Sequence, residues 1–366
     1  MMVDREIQKA LLSLLRLGLW GKEDMETMFP LSDGQWSQLY QYAQRHTIEG
    51  VIFDSFQRLP SNLLPPRSLL LKWTVRIDQI ERRNQQMNVC IGEQLSLFHA
   101  HEVYPVLLKG QGLAACYDIP NHRVCGDVDW YFETKSDYIK VNEILRQRGV
   151  SISPTAGFSA EYLWGDVVVE HHKRMFDIHN PLNFSYLDRL QKRFYTQKLQ
   201  REFQGNTLLL PAPILMMLQV NVHILKHLLS FGVGIRQLCD ASKVYHAFQS
   251  NVDGRELKQI YQKLGILKWI HLLHAVLVKN IGLPVASLPF ELPETVDADW
   301  MMDEIWMAGN FGFFDSRFEG AIEKPSAQRN QASQRVWTNI TRYLKYAPME
   351  ALSFPLVQFY SKFAGE

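Results

Sequence analysis

The chain is short of features that mark several large protein classes. Its 366 residues include only four cysteines, Cys90, Cys116, Cys125 and Cys239, with no paired short spacing among them. They form neither a zinc cluster nor a disulfide framework, and a reducing cytoplasm is the simplest setting. An excess of one charge is also missing. Lys and Arg number 39 against 38 Asp and Glu, a net charge of +1. The whole protein therefore exerts no electrostatic pull on nucleic acid or an acidic membrane, although a local basic groove stays open. No apolar run fits a membrane span. Leu11 to Trp20 is interrupted by Arg16, and Ile214 to Leu229 holds Asn221, His223, Lys226 and His227. Ile7, Leu11, Leu14 and Leu15 fall at helical spacing, which reads as an amphipathic helix rather than a signal peptide. Internal repeats and low-complexity tracts are absent.

What is present is apolar content of 46%, enough for a sizeable core and for two or more domains. Residues 1–101 read as a helical region. Ser32 precedes the helical pattern Trp36, Leu39, Tyr40, Ala43 and His46. After a proline-rich break at Leu59 to Pro66, a long helix is expected from about Arg67 to His101. Its apolar positions are Trp73, Ile77, Ile80, Met87, Ile91 and Leu95. Residues 102–210 read as an α/β core. It has a strand from Val103 to Leu108, a helix from Gly112 to about Tyr117 and a second strand from about Val124 to Phe132. Next comes a helix capped by Ser136 and ending at Gly149. Two runs then alternate about Gly165-Asp166, which suits a type II′ hairpin. Gly205-Asn206 marks another turn before Leu208 to Leu210. Residues 211–366 read as a second helical region. Pro284 to Pro293 forms a connector, with helical patches near Trp300 to Met307 and Gln334 to Tyr346. The expected class is α+β, a small mixed sheet flanked by helical regions.

The densest stretch is Val106 to Phe132, which holds a glycine-bounded turn and the pair Asp127 and Asp129. Alternate strand residues share a face, so the two carboxylates lie side by side while Val128 points away. Like charges that close repel unless a cation intervenes. Hard oxygen ligands at this spacing suit Mg²⁺ (or Mn²⁺) together with substrate phosphates. Lys109, at the end of a buried strand, can hold an outer phosphate or stand as an ordinary strand-end lysine. Gly110 and Gly112 allow backbone amides to approach phosphate, or simply make a turn. Arg123 can contact phosphate or pair with an acid.

The run Leu108-Lys109-Gly110, a short helix, Arg123 and Gly126-Asp127-Val128-Asp129 resembles the uncharacterised bacterial nucleotidyltransferase family of the DNA polymerase β superfamily. The usual Gly-Ser turn reads Lys109-Gly110-Gln111-Gly112 here, so the serine that often touches triphosphate is missing. Trp36, Ala43 and Asn84 also match the family's helical lead-in. The resemblance implies two metals clamping the attacking and leaving oxygens, bridged by the two aspartates. It also implies a third carboxylate from a neighbouring strand. Along Val167 to Arg174, Val168, Glu170, His172 and Arg174 share one face, and the segment resembles the family's Glu-x-His-x-Arg strand. Glu170 is favoured as the third acid, Asp177 is the other candidate, and His172 and Arg174 are nucleotide-binding candidates. A His-x-x-x-His helix, His223 and His227, followed by Arg236 to Asp240, also resembles the family. The pair shares a helix face but lacks the zincin glutamate, so packing against the core or lining its cleft is favoured over metal.

The implied activity is transfer of a nucleoside monophosphate from an NTP to an unidentified hydroxyl-bearing acceptor, with pyrophosphate released. The near-neutral charge favours a small molecule or protein acceptor over nucleic acid. A metal-dependent glycosyltransferase would need a βαβ unit before the Asp-x-Asp, where helices are expected instead. A degenerate module serving protein interaction would not need intact acids. The helices after Pro213 are expected to pack beside the open face of the Asp127 strand and form a cleft with it.

Overall fold

A helix of 33 residues, α4 (Arg67–His99), packs on a seven-stranded mixed sheet and anchors the parts before and after it. The computed structural model describes residues 5–21, 29–155, 158–313, 315 and 325–363. Before α4 come α1 (Arg5–Trp20), α2 (Asp33–Arg45) and α3 (Glu49–Ser55). The sheet region runs β1 (Val106–Leu107), α5 (Lys109–Ala114), β2 (Asp127–Tyr131), α6 (Lys135–Gln147), β3 (Ser153–Thr155), β4 (Ser159–Trp164), β5 (Val167–His172), α7 (Phe184–Arg193), β6 (Leu199–Phe203) and β7 (Asn206–Leu210). Helices follow: α8 (Pro213–Leu229), α9 (Ile235–Phe248), α10 (Gly254–Leu264), α11 (Leu267–Val276), α12 (Asp299–Ala308), α13 (Pro325–Tyr343) and α14 (Pro348–Phe363). The class is α+β, with the sheet flanked by helices on both sides in sequence. No helix among the described residues is long and apolar enough to cross a membrane.

Local chemistry explains most of these elements. Ser32 caps α2 in a capping box with Gln35. The apolar stripe of α4, Trp73, Ile77, Ile80, Met87, Ile91 and Leu95, is buried throughout. Gly165 takes a φ of 58°, the left-handed value that a type II′ turn needs first, between β4 and β5. Gln204 and Gly205 both have positive φ, 49° and 76°, and close β6 onto β7. One cap differs from expectation. Thr134, not Ser136, accepts from the Asp137 amide, so α6 starts earlier and Ile139 is left exposed. A further helix, α14, was not foreseen. Its Glu350, buried, accepts from the backbone amides of His179 and Asn180 at 2.7 and 2.9 Å and ties the tail to the core.

The strand order is β3-β4-β5-β2-β1-β7-β6. β2 runs parallel to β5 and antiparallel to β1. The strand preceding the Asp-x-Asp strand is thus its antiparallel partner, and no βαβ unit leads into it among the described residues. One sheet face packs on α4 and α6. There Gln94 bonds both Trp130 and Tyr162, and His171 bonds Asn142. The other face carries Asp127, Asp129 and Glu170 toward α8 and α9.

Asn84 of α4 positions the approach to β2. Its amide donates to the carbonyls of Asn121 and Arg123 at 2.6 and 2.9 Å, and its oxygen accepts from Gln111. Asn84→Ala leaves two carbonyls unmet in a buried setting, so we expect a loss of about 1–3 kcal/mol in urea denaturation. A change under about 0.5 kcal/mol would mean that this clamp does not hold the loop.

Candidate functional site

The parallel pairing of β2 and β5 sets Asp129 opposite Glu170 and Tyr131 opposite His172. Because alternate residues share a face, Asp127, Asp129, Glu170 and His172 gather on one side of the two strands. Ligand atoms of Asp129, Glu170 and His172 lie within 4.8 Å of one another. His172 Nε2–H donates to Asp129 Oδ1 at 2.7 Å and stands 3.4 Å from Glu170 Oε2. Lys109 Nζ reaches the same Asp129 oxygen at 3.1 Å. Lys109 arrives there because β1 ends at once in α5. Gly110, with φ 46° and ψ −122°, makes the bend, and a Cβ on it would sit 3.1 Å from the Asp127 carbonyl.

The electrostatics are unbalanced. Burial pushes the Asp129 carboxyl up, but Lys109 and His172 outweigh it and hold the group well below the usual carboxylate range. Asp127 and Glu170 go the other way. Burial raises both, and the charge on Asp129 raises them further. Lys109 is held above the usual lysine range by Asp129, Asp177, Glu170 and Asp127 against the opposing cost of burial. Two of the three clustered acids thus lack full compensation, a situation that a bound cation relieves. Oxygen donors of this kind fit Mg²⁺ or Mn²⁺.

Helices α8 and α9 close the cleft opposite the acids, as expected from their place in the sequence. The cleft is about 190 Å³ and is bounded by Lys109, Asp127, Asp129 and Glu170 on the sheet side. His223, Lys226, His227 and Arg236 face them. His223 donates from Nδ1 to Asp177 Oδ2 at 2.8 Å, and Lys226 donates to Asp177 Oδ1 at 2.9 Å. These two partners drive Asp177 well below the ordinary range despite its burial. Burial, then Lys109, lowers His223 to about 4, so it is neutral with its proton on Nδ1. The 3.1 Å contact between its Nε2 and His227 Nε2 therefore takes its proton from His227. The two rings satisfy each other.

The structure distributes the sequence candidates unevenly. Asp127, Asp129, Glu170, Lys109, Gly110 and Arg123 line the cleft. Asp177 does not; it anchors α8. Arg123, buried, is committed to Asp240 through two 2.7 Å bonds, Nε to Oδ1 and Nη2 to Oδ2, and Tyr117 donates to Asp240 as well. Gly112 lies off the cleft, where a Cβ would meet Leu210 at 3.0 Å, so it serves packing. Arg174 is also elsewhere. β5 ends at His172, the alternation lapses, and the Arg174 guanidinium lies over the rings of Phe158 and Phe184. Two cleft residues were not foreseen. In the sequence Lys226 is only a polar interruption of an apolar run, and Phe311 comes from the distant tail. Phe311 has φ 50° between Gly309 and Gly312 and packs against His227. The bracketing glycines are the trace that it leaves in the sequence.

Comparison with known proteins gives a family for the chain. The sequence profile of a family described as "Uncharacterised nucleotidyltransferase" matches residues 32–280. No curated protein matches. Among solved structures, an antigenic nucleotidyltransferase-like protein from Paracoccidioides brasiliensis is similar at 14% identity, with a TM-score of 0.32. That match covers 49% of this chain and 88% of that one. The profile spans well over half of the chain, and the chain belongs to this nucleotidyltransferase family.

Two stability tests follow from the charge pattern. A carboxyl whose folded pKa is raised costs stability when ionised at neutral pH. Asp127→Asn should therefore raise the melting temperature of metal-free protein at pH 7 by about 2–4 °C. A fall would show that Asp127 is already compensated. Asp240→Ala strands a buried guanidinium and should cost about 3–5 kcal/mol in urea denaturation; a cost under about 1 kcal/mol would mean that Arg123 finds another acceptor.

Proposed function

We propose that this family member transfers a nucleoside monophosphate from a metal-bound NTP to a hydroxyl-bearing acceptor and releases pyrophosphate. The observation that carries the reading is the sheet face where Asp127, Asp129 and Glu170 meet at one wall of the cleft, with Asp129 buried and the other two partly open to it. Asp127 and Asp129 would hold Mg²⁺ or Mn²⁺, with Glu170 as the third carboxylate. The metal, when bound, screens phosphate charge and stabilises the attacking and leaving oxygens.

The chain's own groups supply the rest. The acceptor oxygen forms a bond to the α-phosphorus, the bond to the β-phosphate oxygen breaks, and pyrophosphate carries that electron pair away. Glu170, partly open to the cleft, would take the hydroxyl proton. His172 orients Asp129 from behind. Lys109 lies against the cleft and can turn from Asp129 to an outer phosphate. Arg236 points into the same space, and among the described residues its side chain meets the carbonyl of Val124 rather than an acid. At about 190 Å³ the cleft is smaller than the ~300–1,000 Å³ of small-molecule pockets. Base and ribose therefore need more room than the cleft offers. The near-neutral charge of the chain favours a small molecule or protein as acceptor over nucleic acid.

The direct test is incubation with each α-labelled NTP, Mg²⁺ and cell extract. Label should move to a product in the wild type and not in Asp127→Asn or Asp129→Asn. Full activity in either variant would end the reading. Lys109→Ala should raise the NTP KM several-fold with kcat little changed, whereas a loss confined to kcat would assign Lys109 to the transition state.

A further inference from the structure

A second cavity, about 800 Å³, lies beyond the C-terminal ends of the parallel strands β2 and β5. It is on the other side of the sheet from the carboxylates. Phe132 has the opposite strand parity to Asp127 and Asp129, and Ala160 pairs with His171, which points away from Glu170 to Asn142 of α6. Its volume falls within the ~300–1,000 Å³ of small-molecule sites.

The lining is cationic and aromatic. Lys135, Arg146, Lys173 and Arg174 contribute four positive groups. The acid among the lining residues, Glu133, is already bonded to Lys198 at 2.8 Å. Phe132, Tyr138 and Phe158 supply ring surface. The N-terminal end of α6, capped by Thr134, opens at the same place and adds its partial positive charge.

Arg174 is the centre of this site. Its guanidinium is held between two rings, 3.9 Å from the centroid of Phe158 and 3.7 Å from that of Phe184. Nη1 is buried and has no hydrogen-bond partner. Among the described residues no acceptor meets any nitrogen of this side chain. Burial lowers the guanidinium from its usual range, and Asp188 is the acid whose field reaches it. Burial, then Lys135, lowers the ammonium of Lys173 as well. A fixed guanidinium fork with no acceptor on its buried Nη1, in a cavity that Lys135, Arg146 and Lys173 also line, is a receptor for an anion. The rings beside it suit a planar group attached to that anion.

We propose that this cavity is a second binding site, for a phosphate-bearing small molecule whose anion docks on Arg174 and whose planar part lies on the aromatic lining. The sheet separates it from the candidate reaction cleft, so its ligand acts as an effector rather than as the acceptor. The inference does not rest on the transfer reaction.

The test is calorimetric titration of the full-length protein in EDTA, which withholds metal from the front cleft, with Lys109→Ala in parallel to report any anion bound there. AMP and inorganic phosphate serve as separate probes. One equivalent of AMP should bind, and more tightly than phosphate; equal affinity would overturn the part of the proposal that rests on the rings. Arg174→Met should weaken AMP at least ten-fold, Arg174→Lys less, and Lys135→Glu, at an exposed position, several-fold. Circular dichroism of each variant checks folding, and Lys135→Glu keeps the test valid if Arg174→Met does not fold. The proposal is overturned if neither probe binds at millimolar concentration. It is also overturned if AMP binds Arg174→Met and Lys135→Glu as tightly as the parent, which would leave Arg174 a packing residue.

Discussion

The parallel pairing of β2 with β5 in one register is the constraint from which the rest follows. It puts Asp129 opposite Glu170, with Asp127 one pleat away, on a face that two helices then cover. Like-charged carboxylates buried together are costly, and a fold keeps them only where surrounding groups or a bound cation offset the repulsion. The raised pKa values of Asp127 and Glu170 beside the depressed one of Asp129 record an offset that is only partly made.

The partial offset comes from layers around the strands. Lys109 and His172 meet Asp129 directly. Behind them Lys226 and His223 hold Asp177, so α8 is fixed against the segment that follows β5. The Arg123–Asp240 pair, joined by Tyr117, fixes α9 to the approach of β2. These ties hold the helical region that follows β7 against the open face of the sheet. A cleft with acids on one wall and imidazoles and cations on the other is the result. It suits a substrate that is itself anionic and arrives with a metal.

Much of this arrangement is legible in the sequence. The Asp-x-Asp spacing and the parity of Val167 to His172 bring the acids to one face, because the period of a strand is local. The helical patterns after Pro213, and the closeness of α8 to the core in sequence, pointed to the cleft. What was hidden depends on long-range contact. Parity cannot say that β5 stops at His172, and so Arg174 leaves the site for a different cavity. Arg123 could not be assigned until Asp240, more than a hundred residues away, was seen beside it. Gly112 carries the same residue type as Gly110, but only Gly110 sits at a positive φ. Glu350 and Phe311 come from the tail, where the helical pattern says nothing about the surface that it meets.

The central claim is that the acid face holds the divalent metal of a nucleotide complex. The most direct measurement is anomalous diffraction from crystals grown with Mn²⁺ and a non-hydrolysable NTP analogue. The account predicts an anomalous peak at ordinary metal–oxygen distance, about 2.0–2.6 Å, from Asp127 and Asp129, with Lys109 turned from Asp129 toward phosphate. A structure with nucleotide bound but no peak at these acids, and with Lys109 and His172 still on Asp129, would contradict it.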